Sequence, residues 1–75
     1  MEELLKILKS INSDIDYENE KALIDDGLLD SLDVVALVSE LNDHYDIEVE
    51  LDDLVPENFN SVSAMMDLIE RLKAR

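Results

Sequence analysis

Apolar side chains recur at helical spacing in three stretches of this 75-residue chain, and the period lapses in two stretches between them. In the first, roughly Glu2 to Asn12, Leu4, Leu8 and Ile11 follow i, i+4, i+7 spacing, with Leu5 and Ile7 widening the stripe. Glu2 and Glu3 stand at the positive end of that helix's dipole. The second begins near Ser31 and runs to about Tyr45, with Val34, Leu37, Val38, Leu41 and Tyr45 along one side. The third, about Ser61 to Ala74, carries Val62, Met65, Met66, Ile69 and Leu72 on one face. Ser61 stands where an N-cap is wanted, and Arg71 and Lys73 lie at the negative end. Three stripes that can meet in one core predict an all-α bundle, with residues 1–75 forming a single domain.

The two aperiodic stretches have signals of their own. Between the first helices lies a connection of roughly eighteen residues, Asn12 to Asp30, long enough to need ordering by its own apolar residues. Ile15, Leu23, Ile24, Leu28 and Leu29 are the candidates, and Gly27, the only glycine, offers a positive φ that turns the chain toward Ser31. The stretch "DIEVELDDLVPENFN", Asp46 to Asn60, begins with an alternation that could be a strand, but a lone strand has no partner. A loop followed by a short helix around Asp52 to Phe59 fits better, with Asp52 as its cap and Pro56 in the first turn. The bundle thus has three long helices and one short one.

Composition narrows the function. At 47% apolar residues in periodic array, the chain reads as a folded domain despite 35% charged residues. A chain this short hides only about 60% of the surface that its unfolded form exposes, which leaves no room for a deep catalytic cleft. Its net charge of −14 repels nucleic acid and anionic membranes and favours basic protein surfaces as partners. The six cations are Lys6, Lys9, Lys21, Arg71, Lys73 and Arg75, so none lies from Ala22 through Glu70, where fourteen acids fall. Without cysteine the chain has no disulfide, thiolate nucleophile or Cys-based zinc site of its own, which fits a reducing cytoplasm. The segment "MEELLKILKSI" is too acidic for a secretory signal, and no stretch approaches the ~20 apolar residues of a membrane span.

Within "GLLDSLDVVALV", residues 27–38, Ser31 stands between Leu32 and Asp30 at the start of the second helix. It lacks a base: the only histidine, His44, lies thirteen residues further along the same helix, about 20 Å away at ~1.5 Å per residue. The G-x-S-x-G elbow is absent too, so Ser31 is not activated by its own chain. One reading is that Asp30 or Ser31 simply caps the helix. Another comes from the opposite face of the same helix, where Leu32, Val35, Ala36 and Ser39 point away from the core stripe and Asp33, Glu40 and Asp43 border them. An exposed apolar strip with an acidic rim suits a partner groove that is apolar at its centre and basic at its edge.

The segment from Asp25 to Leu72 resembles the acyl carrier protein family, centred on Asp30-Ser31-Leu32 with Gly27-Leu28-Leu29 before it and "DVVALVSEL" and "YDIEV" after it. The resemblance implies an acyl-carrier-like bundle in which Ser31 receives 4'-phosphopantetheine from coenzyme A, transferred by a carrier protein synthase with magnesium. Asp30 and Leu32 then belong to the attachment motif, while Asp33, Val35, Glu40 and Asp43 meet partners. The chain itself would be no enzyme. It would hold acyl or aminoacyl groups as thioesters, as in fatty-acid or lipid biosynthesis, and present them to activating ligases and acyltransferases with basic docking surfaces. It is expected to act as a cytoplasmic monomer without stable membrane insertion. Ala36, Ser39, Asn42 and Glu50 depart from the common fatty-acid type, whereas "GLLDSL" and "ENFNSVSAMMDLI" resemble stand-alone D-alanyl carrier proteins and relatives serving aminoacyl-activating ligases.

Rival readings remain at this level. An unmodified acidic adaptor would use the same second helix to bind a basic partner helix. Asp14, Asp16 and Glu18 mimic the first ligands of an EF-hand loop, but Asn19 occupies the glycine position and Asp25 the place of the bidentate glutamate, so no metal site is expected. His44 reads as a solvated residue that suits a helix C-terminus, Tyr45 and Phe59 as core anchors, and Met65 and Met66 as core filling.

Overall fold

The computed structural model describes residues 2–74. Its elements run α1 (Glu2–Ile11), α2 (Ser31–Tyr45), a 3-10 turn (Leu51–Asp53), α3 (Pro56–Phe59) and α4 (Val62–Lys73). Among the described residues there is no strand, and the architecture is the expected all-α, acyl-carrier-like bundle. Helix α1 packs against both α2 and α4, and α3 packs against α4. Among the described residues, no helix is long and apolar enough to cross a membrane.

The core follows the predicted stripes, with adjustments. Leu4 and Leu8 of α1, Leu37 and Leu41 of α2 and Met65, Leu68 and Ile69 of α4 are fully buried, while Val34, Val38, Tyr45 and Met66 flank them half-buried. Leu68 lies outside the stripe read from the sequence, yet it shares the face of Met65 and Leu72 at i+3 and i+4 spacing. Ser61 caps α4 as expected, its Oγ accepting the Ala64 N–H at 3.1 Å.

The α1–α2 connection is ordered by Leu23 and Leu29, both buried, and by a residue that periodicity did not single out. Tyr17 is 2% exposed, and its hydroxyl is shared between the carbonyls of Leu8 at 2.9 Å and Asn12 at 2.8 Å, locking the connection onto the end of α1. Leu28, expected to help order this stretch, is 37% exposed instead. Gly27 has φ +72 and closes the turn as expected.

The short helix is also corrected. Asp52 does not cap it: a 3-10 turn comes first, and α3 starts after Val55 with Pro56 at its first position, where a missing N–H costs nothing. The residue that matters is Asp53, buried at 6% exposure, whose Oδ2 accepts the Glu50 N–H at 3.1 Å. Its carbonyl accepts the Asn58 side-chain amide at 2.8 Å, and Arg71 of α4 donates to Asn58 Oδ1 at 2.9 Å. Ahead of it, Asp46 ends α2 in a left-handed conformation at φ 53, and Asn42 Oδ1 accepts the Val49 N–H at 3.0 Å.

Candidate functional site

Ser31 is the first residue of α2, and it is exposed. Asp30 is the N-cap: its Oδ1 accepts the Asp33 N–H at 2.8 Å, while Asp33 Oδ2 lies 3.4 Å from the Asp30 N–H and completes a capping box. That division leaves the amides of Ser31 and Leu32 at the open, electropositive end of a 15-residue helix, beside the serine hydroxyl.

A capped helix start and an exposed serine are therefore compatible here. Asp30 takes the capping duty, and Ser31 Oγ is left to face solvent. Asp33, expected only as a rim charge, is half-buried and takes part in the cap, so it serves α2 locally whatever else it meets. Glu40 and Asp43 are exposed further along the helix.

The second apolar face of α2 is open. Leu32 is 79% and Val35 67% exposed, with Ala36 and Ser39 also in solvent. The other exposed large apolar side chains, Leu28, Leu51, Leu54 and Val55, lie in the chain just before Ser31 or in the turn leading to α3. Val35, Leu54 and Val55 join Ser31 in the lining of an open groove of about 370 Å³. Ile24, Leu29 and Val34 extend its walls, and Phe59, 2% exposed, stands at its base. The sequence reading did not find this groove, because its walls come from segments about thirty residues apart and share no local period.

The remaining candidates fall elsewhere. His44 sits at the far end of α2, its Nε2 meeting the Glu3 carboxylate of α1, and its ring stands edge-on to Tyr45 at 4.8 Å. Lys73 covers the Tyr45 ring at 5.2 Å from its centroid. The Tyr45 hydroxyl is pushed above its ordinary value by burial and by the nearby Glu3 charge, and that of Tyr17 by burial and then by Asp33. Among the described residues no three His, Asp or Glu side chains group as a metal site, and Asn19 Nδ2 donates to Asp16 Oδ2 at 2.6 Å.

An exposed hydroxyl at a helix N-terminus, with no base in reach and an apolar groove alongside, is suited to being modified by another catalyst and to presenting what it receives. The residues fit a phosphodiester-linked arm in two respects: the helix end favours an anion, and the groove offers the alkyl parts of an arm somewhere to lie. The family profile described as "Phosphopantetheine attachment site" matches residues 2–69. Among curated proteins, the D-alanyl carrier protein of Streptococcus mutans serotype c is 31% identical over 72 residues, spanning 95% of this chain and 91% of its own length. No solved structure matches the chain significantly.

Proposed function

Because the chain belongs to the family of carrier proteins defined by a phosphopantetheine attachment site, we propose that Ser31 is the residue to which its 4'-phosphopantetheine is joined. Proteins of this family are carriers and not catalysts, which agrees with a serine that its own chain does not activate. When bound, the arm supplies the thiol that the sequence lacks and holds an acyl or aminoacyl group as a thioester. The protein's own residues do the rest. Asp30 caps α2 so that the serine and its neighbouring amides stay turned outward, and the helix end offsets the charge of a phosphodiester. Leu32 and Val35 give a visiting enzyme an apolar footing, and Asp33, Glu40 and Asp43 offer charges to basic residues at its rim.

The cargo we propose is an aminoacyl group, D-alanine being the first candidate, delivered from an activating ligase to an acyltransferase. The similarity to a D-alanyl carrier over nearly the full length of both chains supports this. The absence of basic side chains from Ala22 through Glu70 supports partners with basic docking surfaces, and a cytoplasmic setting supplies both coenzyme A and reduced thiols. The observation that carries the reading is the exposed Ser31 at the α2 N-terminus.

Incubation with coenzyme A, magnesium and a broad-specificity carrier synthase tests it by intact mass. The wild type gains one phosphopantetheine, and Ser31→Ala gains none. An adaptor that uses α2 only to bind a basic helix would keep its mass unchanged. With the arm in place, an activating ligase specific for D-alanine should load it; refusal, with loading by a fatty-acyl ligase instead, would redirect the cargo.

A further inference from the structure

Short α3 ends in Asn58-Phe59 with Asn60 as its C-cap, and the two amides flanking the phenyl ring reach in different directions. Asn58 ties down the turn at Asp53. Asn60 reaches across to the α1–α2 connection, 35 and 36 residues earlier in sequence. Its Oδ1 accepts the N–H groups of Ile24 at 2.9 Å and Asp25 at 3.1 Å, its Nδ2 donates to Asp25 Oδ2 at 3.1 Å, and its carbonyl accepts the Leu23 N–H at 2.9 Å. Two backbone donors and one carboxylate acceptor define the amide's orientation: only an oxygen can meet both N–H groups.

The bonds continue toward the serine. The Leu23 carbonyl accepts the N–H groups of Leu28 and Leu29, each at 3.0 Å, and buried Leu29 directly precedes the Asp30 cap. Among the described hydrogen bonds, the others made by residues 23–29 stay within residues 22–29. Asn60 is therefore the polar tether between the segment leading into α2 and the rest of the bundle.

We infer that Asn60 is a positioning residue for the modification of Ser31, resting on the reading of that serine as the attachment point. It keeps residues 23–29 ordered in the free protein, so that a carrier synthase meets the helix start and the Leu28, Leu32 and Val35 side chains already in register. Losing the tether lets this segment open locally, and the synthase must reorder it on docking. The defect belongs to encounter and not to the transfer step.

Steady-state kinetics with the carrier as varied substrate and coenzyme A saturating tests this. If the docking-competent state falls to about a tenth of molecules, Asn60→Ala raises KM for the carrier ~10-fold. Its kcat should stay within about twofold of wild type. Amide exchange should quicken at Ile24 and Asp25 while α1 and α4 remain protected. Asn60→Asp sets a carboxylate against Asp25 and raises KM likewise; adding Asp25→Asn restores a donor and an acceptor across the same bond and returns KM toward wild type. This reciprocal pair still reads the tether should the alanine variant fold poorly. An unchanged KM despite faster exchange, or a parallel loss of kcat and stability that the double variant does not rescue, overturns the inference. A wild type that takes up no phosphopantetheine brings down the reading of Ser31 itself, and the inference with it.

Discussion

Asp30 and Asp33 hold each other across the first turn of α2: the Asp33 N–H donates to Asp30 Oδ1 at 2.8 Å, and Asp33 Oδ2 faces the Asp30 N–H at 3.4 Å. The serine lies inside that bracket. Removing the shorter bond with Asp30→Ala should lower stability by about 1 kcal/mol, the usual cost of a lost N-cap. Asp33→Asn separates capping from charge, because the amide oxygen can still face the Asp30 N–H. It should unfold in urea within ~0.5 kcal/mol of wild type while raising KM for the carrier synthase. Normal kinetics in Asp33→Asn would remove this carboxylate from the docking rim.

Leu32 and Val35 can be changed without touching the core, since both project into solvent. Leu32→Gln with Val35→Gln should leave the melting transition almost unmoved, within about 0.5 kcal/mol. Phosphopantetheinylation should nevertheless lose about tenfold in kcat/KM, as expected when apolar anchors leave an interface centre. Equal kcat/KM in the two proteins would transfer docking to another face.

Tyr17 ties the α1–α2 connection to α1, and Tyr17→Phe deletes that tie while keeping the ring. Leu8 O retains the Asn12 N–H at 3.0 Å, so only the Asn12 carbonyl loses its partner, and the expected cost is about 1 kcal/mol. Burial, with Asp33 nearby, raises the hydroxyl above its ordinary value of 10.0 in the folded chain. A raised folded value means that the stabilisation is complete below the unfolded value and is lost as pH climbs from there through the folded one. The margin of wild type over Tyr17→Phe in urea should therefore shrink above pH 10.0; a margin that widened there would contradict the buried phenol.

Gly27 lies at φ +72 with open space where a Cβ would stand, so Gly27→Ala meets no neighbour and costs only backbone strain. About 1–2 kcal/mol of destabilisation is expected. Thermal melting measures it, and a neutral result would mean that the turn before Ser31 readily takes another conformation.

Much of this arrangement was legible because it is local. Ser31 at a helix start, the second apolar face through Leu32 and Val35, the cap at Ser61 and the turn at Gly27 all follow from neighbours within a few positions. Tyr17, Asp53 and Asn60 were not legible, because each earns its place through hydrogen bonds to a carbonyl or amide that no side-chain period marks. Asp52 and Asp53 are alike as neighbouring acids in sequence, and only the 3-10 turn decides which one faces inward. The groove escaped for the same reason as Asn60: its walls meet only after the chain has folded.

The lining of that groove also bears on how long a load would last. Its walls are alkyl and aryl, with the Asp30 carboxylate and the Ser31 hydroxyl as exceptions, and no lysine or arginine occurs from Ala22 through Glu70. Nor does any of the 75 residues offer a sulfhydryl, while the one imidazole stands at the opposite end of α2. On the proposed reading, a reactive ester resting there finds no amine in the groove lining to acylate by mistake and no thiol of the chain to migrate to. Its shelf life then belongs to the surrounding water and to the enzyme that collects it.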